Sequence, residues 1–334
     1  MTQRLERAAA PLPDLRDFSL WTDDGVLLRG VVRDVHGDSA TYDQATSIPT
    51  AAGSTGRPAP VALVNGLTMS VAAWDGLERL LATERTVVRY DMRGQGASDA
   101  PEGPYPPSRH AADLEQVLTA LRLPRVHLVA LSNGGLVAQR VAASLAAGNS
   151  KGAGAATGAR PAAAAGTAAG PGIHLVSLAL LDSFATVDAH LRAVLRSWLQ
   201  ALRDGGPEAR FDAALPWVWG PDFLEANATA IADARSSAAA ASDHAVRGLI
   251  EGLLADETRE PTPGLANVDT PLLVAVGEHD VLTPPRAGAA ITAAFGRGDV
   301  TVVPGVGHAG PIENPSAIAR LLLPFLTAAD SEAA

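Results

Sequence analysis

The sequence has no cysteine, which excludes disulfides, a thiol nucleophile and thiolate metal sites. Lysine is almost missing: Lys151 is the only one in 334 residues, and the arginines that supply the other positive charges are scattered. A net charge of −10 without a basic stripe suits neither nucleic acid, where phosphate contacts dominate affinity, nor an anionic membrane surface. No apolar run approaches the roughly 20 residues needed to span a bilayer. The start, MTQRLERAAAPLPDLRDF, has no long apolar core behind its charges, so no secretory signal is read there. The H-E-x-x-H and Walker patterns are also missing, and GQGASD lacks the third glycine and following helix of a dinucleotide fingerprint. These absences leave a soluble, cytoplasmic protein that acts on a small molecule, with no cofactor or metal implied.

What is present is globular: 47% hydrophobic and 19% charged residues, in a chain long enough to bury a full core. Apolar or alternating runs occur at Phe18–Trp21, Val26–Val32, Val61–Val64, Thr86–Tyr90, Val126–Leu131, Leu175–Leu181, Leu272–Val276 and Val300–Val303. Helical patterns fill Ala72–Ala82, Ala111–Leu121, Leu136–Ala147, Pro285–Ala294 and Pro315–Leu326. Two early strands with no helix between them, then strand–helix alternation, predict an α/β sheet, mostly parallel with an antiparallel start. Residues 184–267 hold helical patterns and aromatics but no sheet strand, and read as an inserted helical cap. The core is then 15–183 and 268–328. Two segments rich in small residues, 39–58 and 148–172, read as low-complexity surface loops within it.

The chemical signal is HLVALSNGGLVAQRVA. A strand stops at Ser132, and Asn133, Gly134 and Gly135 lead into a helix. A capping serine on a tight turn would look the same, so the other groups must decide. A serine nucleophile needs a base, usually histidine, held by a carboxylate. Such groups belong just beyond the C-terminal ends of sheet strands. PLLVAVGEHDVLTPP presents Asp280 after one strand, and TVVPGVGHAGPIENP offers His308 after the last. Asp182, ending LALLD after the sixth strand, is a rival acid, with Asp280 preferred.

In the order Ser132, Asp280, His308 the chain resembles the α/β-hydrolase family, whose nucleophile elbow is written G-x-S-x-G and is followed by acid and histidine loops. YDMRGQGASDAP is similar to that family's D-x-R-G-x-G-x-S loop. The resemblance implies an eight-stranded, mostly parallel α/β-hydrolase sheet flanked by helices, with the cap inserted. It covers nearly the whole chain outside the two low-complexity segments. Two positions depart from the family pattern: Ala130 replaces the first elbow glycine, and Asn65–Gly66 stands where the family often has His-Gly. By resemblance the oxyanion hole is formed by the backbone N–H groups of Leu67 and Asn133. Backbone donors do not depend on the Asn65 side chain, which affects only how that loop is braced. Asp91 and Arg93 read as loop braces.

The activity implied is a serine hydrolase cleaving an ester or thioester of a small to medium hydrophobic acyl group. The alternatives are an acyltransferase, lactonase or perhydrolase on the same triad, or a ligand receptor on the same scaffold. A serine rather than an aspartate nucleophile sets the chain apart from the haloalkane dehalogenase and epoxide hydrolase branches. In the cap, FDAALPWVWGPDFLEA places Trp217 and Trp219 as candidate substrate-binding residues, and its apolar character predicts a neutral, hydrophobic acyl group.

Overall fold

The apolar runs form strands β1 (Leu15–Trp21), β2 (Leu27–Arg33), β5 (Val61–Val64), β6 (Val87–Asp91), β7 (Arg125–Leu131), β8 (His174–Leu181), β9 (Leu272–Gly277) and β10 (Val300–Val303). Two-residue strands β3 (Tyr42–Asp43) and β4 (Ile48–Pro49) pair apart from them. The computed structural model describes residues 15–35, 42–43, 48–49, 57–154, 172–256 and 260–333. Most of the expected loop 39–58, and 155–171 of the other, lie outside the described residues.

The eight strands make one sheet in the order β1-β2-β6-β5-β7-β8-β9-β10. β2 is antiparallel to both β1 and β6, and every other neighbouring pair is parallel. The central strands β5, β7 and β8 are buried along nearly their whole length and are mainly apolar, because helices cover both faces. β1 sits at the edge and alternates between exposed and half-buried residues.

Helices α2 (Pro107–Ala120), α3 (Asn133–Gly154) and α8 (Pro285–Phe295) bury Leu114, Val137, Val141 and Ile291 on one face. On the other, α1 (Asp75–Leu81) and α10 (Pro315–Glu332) bury Leu77, Leu81, Leu322 and Leu326. α10 starts where sequence signals place it, with Pro315 in its first turn and the Asn314 side chain accepting the Ala317 N–H at 3.0 Å. α3 differs from expectation at both ends. It begins directly after Ser132, and it runs on through Gly148 to Gly154, where a loop was expected. Helix propagation from an established helix outweighs the roughly 1 kcal/mol disadvantage of each glycine.

Between β8 and β9 lie α4 (Ala189–Val218), α5 (Pro221–Ala226), α6 (Ala228–Ala239) and α7 (Asp243–Leu254), with no sheet strand among the described residues there. α4 is kinked at Gly205–Gly206. The left-handed φ of +73° at Gly206 breaks the helix, and Pro207 starts its second half. Leu191, Leu195 and Trp198 of α4 pack against Val246 and Ile250 of α7, giving the insertion its own apolar cluster. Among the described residues, no helix is long and apolar enough to cross a membrane.

Candidate active site

Strand register brings the sequence-predicted groups to one edge of the sheet. Leu131 pairs with Leu181, Leu181 with Ala275, and Gly277 with Val303, so β7, β8, β9 and β10 end nearly level. The residues just past those ends are Ser132, Asp182, Asp280 and His308.

Ser132 adopts φ +54°, a left-handed conformation that costs energy for a residue with a Cβ. Its N–H donates to the Leu181 carbonyl at 2.9 Å, and its own carbonyl accepts from the Gly135 N–H (2.9 Å) and the Ser183 hydroxyl (2.8 Å). The small neighbours are required sterically. A Cβ at Gly134 would lie 2.4 Å from the Asn65 carbonyl oxygen, and one at Gly135 would lie 2.1 Å from Ser183 Oγ. Ala130 is fully buried in β7, and the turn forms with it in place. α3 therefore points its N-terminus, with its unpaired N–H groups and positive dipole end, at the Ser132 side of the turn.

His308 Nδ1 lies 2.9 Å from Asp280 Oδ2. Asp280 is itself fixed: its Oδ1 accepts the N–H groups of Leu282 and Thr283, each at 2.8 Å, in an Asx-type turn. The Thr283 hydroxyl lies 2.6 Å from Asp280 Oδ2 and 3.1 Å from His308 Nδ1. Burial pushes the Asp280 carboxyl up, but the neighbouring His308 and the bonds from His308 and Thr283 outweigh it and hold it below its ordinary value.

The rival acid, Asp182, points elsewhere. Its Oδ1 accepts the Gly277 N–H at 2.6 Å, and among the described residues no bond joins it to His308. Burial, then the negative charge of Asp280, raise its carboxyl well above the carboxylate range despite the N–H groups of Gly277 and Gly310. It sits beside the site, bonded to the β9 end and away from the imidazole.

The loop after β5 is braced by side chains. Asn65 Nδ2 donates to Gln95 Oε1 (2.9 Å), Trp74 Nε1 donates to Asn65 Oδ1 (2.7 Å), and Gln95 Nε2 donates to the Gly66 carbonyl (2.8 Å). The asparagine thus fills a bracing role. Among the described residues, no acceptor lies within hydrogen-bond reach of the Leu67 or Asn133 backbone N–H. Asp91 accepts from the Val71 and Ala97 N–H groups, and Arg93 pairs with Asp113 and Asp24, so both act within the scaffold.

Ser132, His308, Leu67 and Thr68 line a cavity of about 680 Å³, whose wall also includes Trp198, Arg210, Phe211 and Trp219 from the segment between β8 and β9. Trp219 stacks on Phe223 with ring centroids 5.0 Å apart. Trp217 differs from its sequence reading. It is not on the cavity wall but stands edge-on to His190 at 5.6 Å: Trp217 lies on the last turn of α4, while Trp219 follows the helix end in extended backbone and reaches the cavity. Sequence reasoning also missed Glu313. Its carboxylate accepts the N–H groups of Gly307 (2.9 Å), Ala309 (3.1 Å) and Gly220 (3.1 Å), clamping the His308 loop to the insertion. Burial raises its carboxyl, against those three donors. Nothing local in PIENP signals this long-range role. Thr283 was more legible, since D-x-x-T after a strand reads as an Asx turn.

A second serine–histidine–aspartate set lies toward the opposite edge. Ser177 Oγ is 2.8 Å from His127 Nδ1, and His127 Nε2 is 3.2 Å from Asp330 Oδ1. Ser177 and His127 are fully buried, so these bonds anchor α10 to the sheet and offer no access to substrate. Among the described residues, no group of three or more His, Cys, Asp or Glu could hold a metal ion.

Comparison with known proteins agrees with the fold. The chain is 29% identical over 272 residues to a Variovorax paradoxus protein named carbamate hydrolase RutD, covering 80% of this chain and 91% of the relative. It superposes on the enol-lactonase of Burkholderia xenovorans LB400 with a TM-score of 0.70 at 22% identity, covering 92% of this chain and 99% of that one. It superposes on MGS-M2, an alpha/beta hydrolase from a Medee basin deep-sea metagenome library, with a TM-score of 0.71 at 18% identity, covering 92% and 97%. At these identities the two structures speak for the fold. A profile of the alpha/beta hydrolase family matches residues 61–321, and the chain belongs to that family.

Proposed function

We propose that this hydrolase cleaves a carboxylic ester or thioester through an acyl-enzyme on Ser132. The observation that carries this reading is that His308, bonded to the buried Asp280, lines one cavity with a serine held at left-handed φ just before a helix N-terminus. Ser132 Oγ attacks the carbonyl carbon as His308 Nε2 takes its proton. Asp280 holds the Nδ1–H tautomer and stabilises the imidazolium. The oxyanion is received by the N–H groups of Leu67 and Asn133, where one donor is typically worth about 3–4 kcal/mol. The acyl–oxygen or acyl–sulfur bond breaks, and the leaving group departs with the proton from His308. Water then gives its proton to His308, its oxygen joins the acyl carbon, and Ser132 recovers the proton.

Helices α4–α7, residues 184–267, act as a cap over the core of 15–183 and 268–328, and their apolar wall receives a small to medium acyl chain. The relative named carbamate hydrolase supports a second reading, in which the carbonyl carries nitrogen and the bond broken is C–N. Titrating acid release from methyl esters and acyl thioesters of graded length, beside ammonia release from carbamate, separates the two. Ammonia release without ester or thioester cleavage would overturn the first.

A further inference from the structure

Five arginines are buried among the described residues: Arg33, Arg85, Arg89, Arg93 and Arg210. Four meet a carboxylate. Arg33 pairs with Glu78 at 2.8 Å, Arg85 with Asp330 at 2.9 Å, Arg89 with Glu78 at 2.9 Å, and Arg93 with Asp113 at 2.6 Å. Arg210 meets none. Its Nη2 donates to the Thr68 hydroxyl at 2.6 Å, its guanidinium carbon stands 5.9 Å from the centre of the Trp198 ring, and its buried Nε–H has no acceptor. The side chain is 7% exposed and on the cavity wall, whose lining includes no aspartate or glutamate.

A cation withdrawn from water without a counter-ion is costly, and a buried guanidinium with free N–H donors is usually satisfied by a partner. Burial lowers the Arg210 pKa to about 10, which still leaves the group charged at neutral pH. Its position is built. The kink at Gly205–Gly206 redirects α4 so that Arg210, Ala214 and Val218, spaced by four, face the same cavity as Ser132 and His308. Thr68, its hydrogen-bond partner, directly follows Leu67.

We propose that Arg210 is a specificity-determining residue that binds a free carboxylate on the substrate, so that the preferred ester or thioester is a monoanion with an apolar chain. The planar fork of N–H donors matches a carboxylate, and the apolar surroundings strengthen the pair. This departs from the neutral substrate expected from the cap's composition: the chain stays apolar, but one end carries a charge. It rests on the reading of Ser132 as the nucleophile.

The test compares anionic esters with branched neutral esters of matching shape. Monomethyl succinate and monomethyl glutarate are set against methyl 4-methylpentanoate and methyl 5-methylhexanoate, placing the carboxylate on the acyl side. Acetoxyacetate set against isobutyl acetate places it on the alcohol side. In the wild type, kcat/KM for at least one anionic ester should exceed its neutral match by 10- to 100-fold, the range for a hydrogen bond to a charged group. Arg210→Met should lower that ratio at least tenfold, and Arg210→Lys should lower it less. No anionic preference in the wild type, or an unchanged ratio in Arg210→Met, overturns the proposal while ester cleavage itself stands. If Arg210→Met does not fold, an unchanged ratio in Arg210→Lys overturns it. If no ester is cleaved, the mechanism has failed instead, and calorimetry decides the carboxylate site separately. Monomethyl glutarate binding to Ser132→Ala and lost in Ser132→Ala/Arg210→Met supports the site, and no binding to either refutes it.

Discussion

Replacing Asp280 by asparagine leaves the shape of the site nearly unchanged and reverses its hydrogen-bond logic. Asp280 accepts four contacts: two N–H groups on Oδ1, and His308 Nδ1 and the Thr283 hydroxyl on Oδ2. An amide must turn its NH2 toward one pair. Facing Leu282 and Thr283, it sets donor against donor. Facing His308, it makes Nδ1 the acceptor and puts the imidazole proton on Nε2, where it cannot take one from Ser132. Either way the negative charge 2.9 Å from the developing imidazolium is gone. Together these should cost about 5 kcal/mol of transition-state stabilisation, or about 10⁴-fold in kcat. Asp182→Asn is the control. Asp182 makes no bond to His308 among the described residues, and an amide oxygen still accepts the Gly277 N–H that its carboxyl accepts at 2.6 Å, so kcat should fall less than tenfold. The assay is the initial rate of methyl ester hydrolysis at pH 7.5, with circular dichroism to confirm folding. A larger loss in Asp182→Asn than in Asp280→Asn would refute the assignment.

Two further perturbations separate cavity wall from scaffold, and fold from pH. Trp219→Ala removes a ring from the cavity and should lower the preference for hexanoate over acetate methyl esters about tenfold, the order expected for one buried aromatic contact. Trp217→Ala should lower Tm and leave that preference intact, and equal effects of both variants on the ratio would contradict their placement. His110 is fully buried against Tyr105 with neither ring nitrogen bonded, and burial lowers its pKa from 6.5 to about 4. Between those values the unfolded chain takes up a proton that the folded chain refuses, so stability from this group is full above 6.5 and declines as pH falls. Relative to His110→Phe, the wild type should therefore lose about 2 kcal/mol between pH 7 and pH 5 in urea melts. A pH-independent gap would show that the imidazole is not held neutral.

The sheet was legible because its central strands are short, mainly apolar runs, and all eight main-sheet strands lie within a few residues of their expected places. Ser132, Asp280 and His308 were read from their places just after strand ends and from their order along the chain, and strand register brings those ends nearly level. Arg210 and Glu313 could not be found this way. Their meaning lies in what they meet across 142 residues (Arg210 to Thr68) and 93 residues (Glu313 to Gly220), and composition carries no trace of such meetings. The sequence could not separate Trp217 from Trp219, because the end of α4 falls between them and only the second lines the cavity.

The nucleophile is the centre of the account, and a fluorophosphonate reacts only with a serine activated by its base. Incubating the full chain with such a probe, followed by peptide mass spectrometry, should place a single adduct on Ser132 and abolish ester hydrolysis in proportion. Ser132→Ala should take up no label and lose turnover by several powers of ten while its melting curve stays cooperative. A label on any other residue, or near-normal hydrolysis by Ser132→Ala, would contradict it.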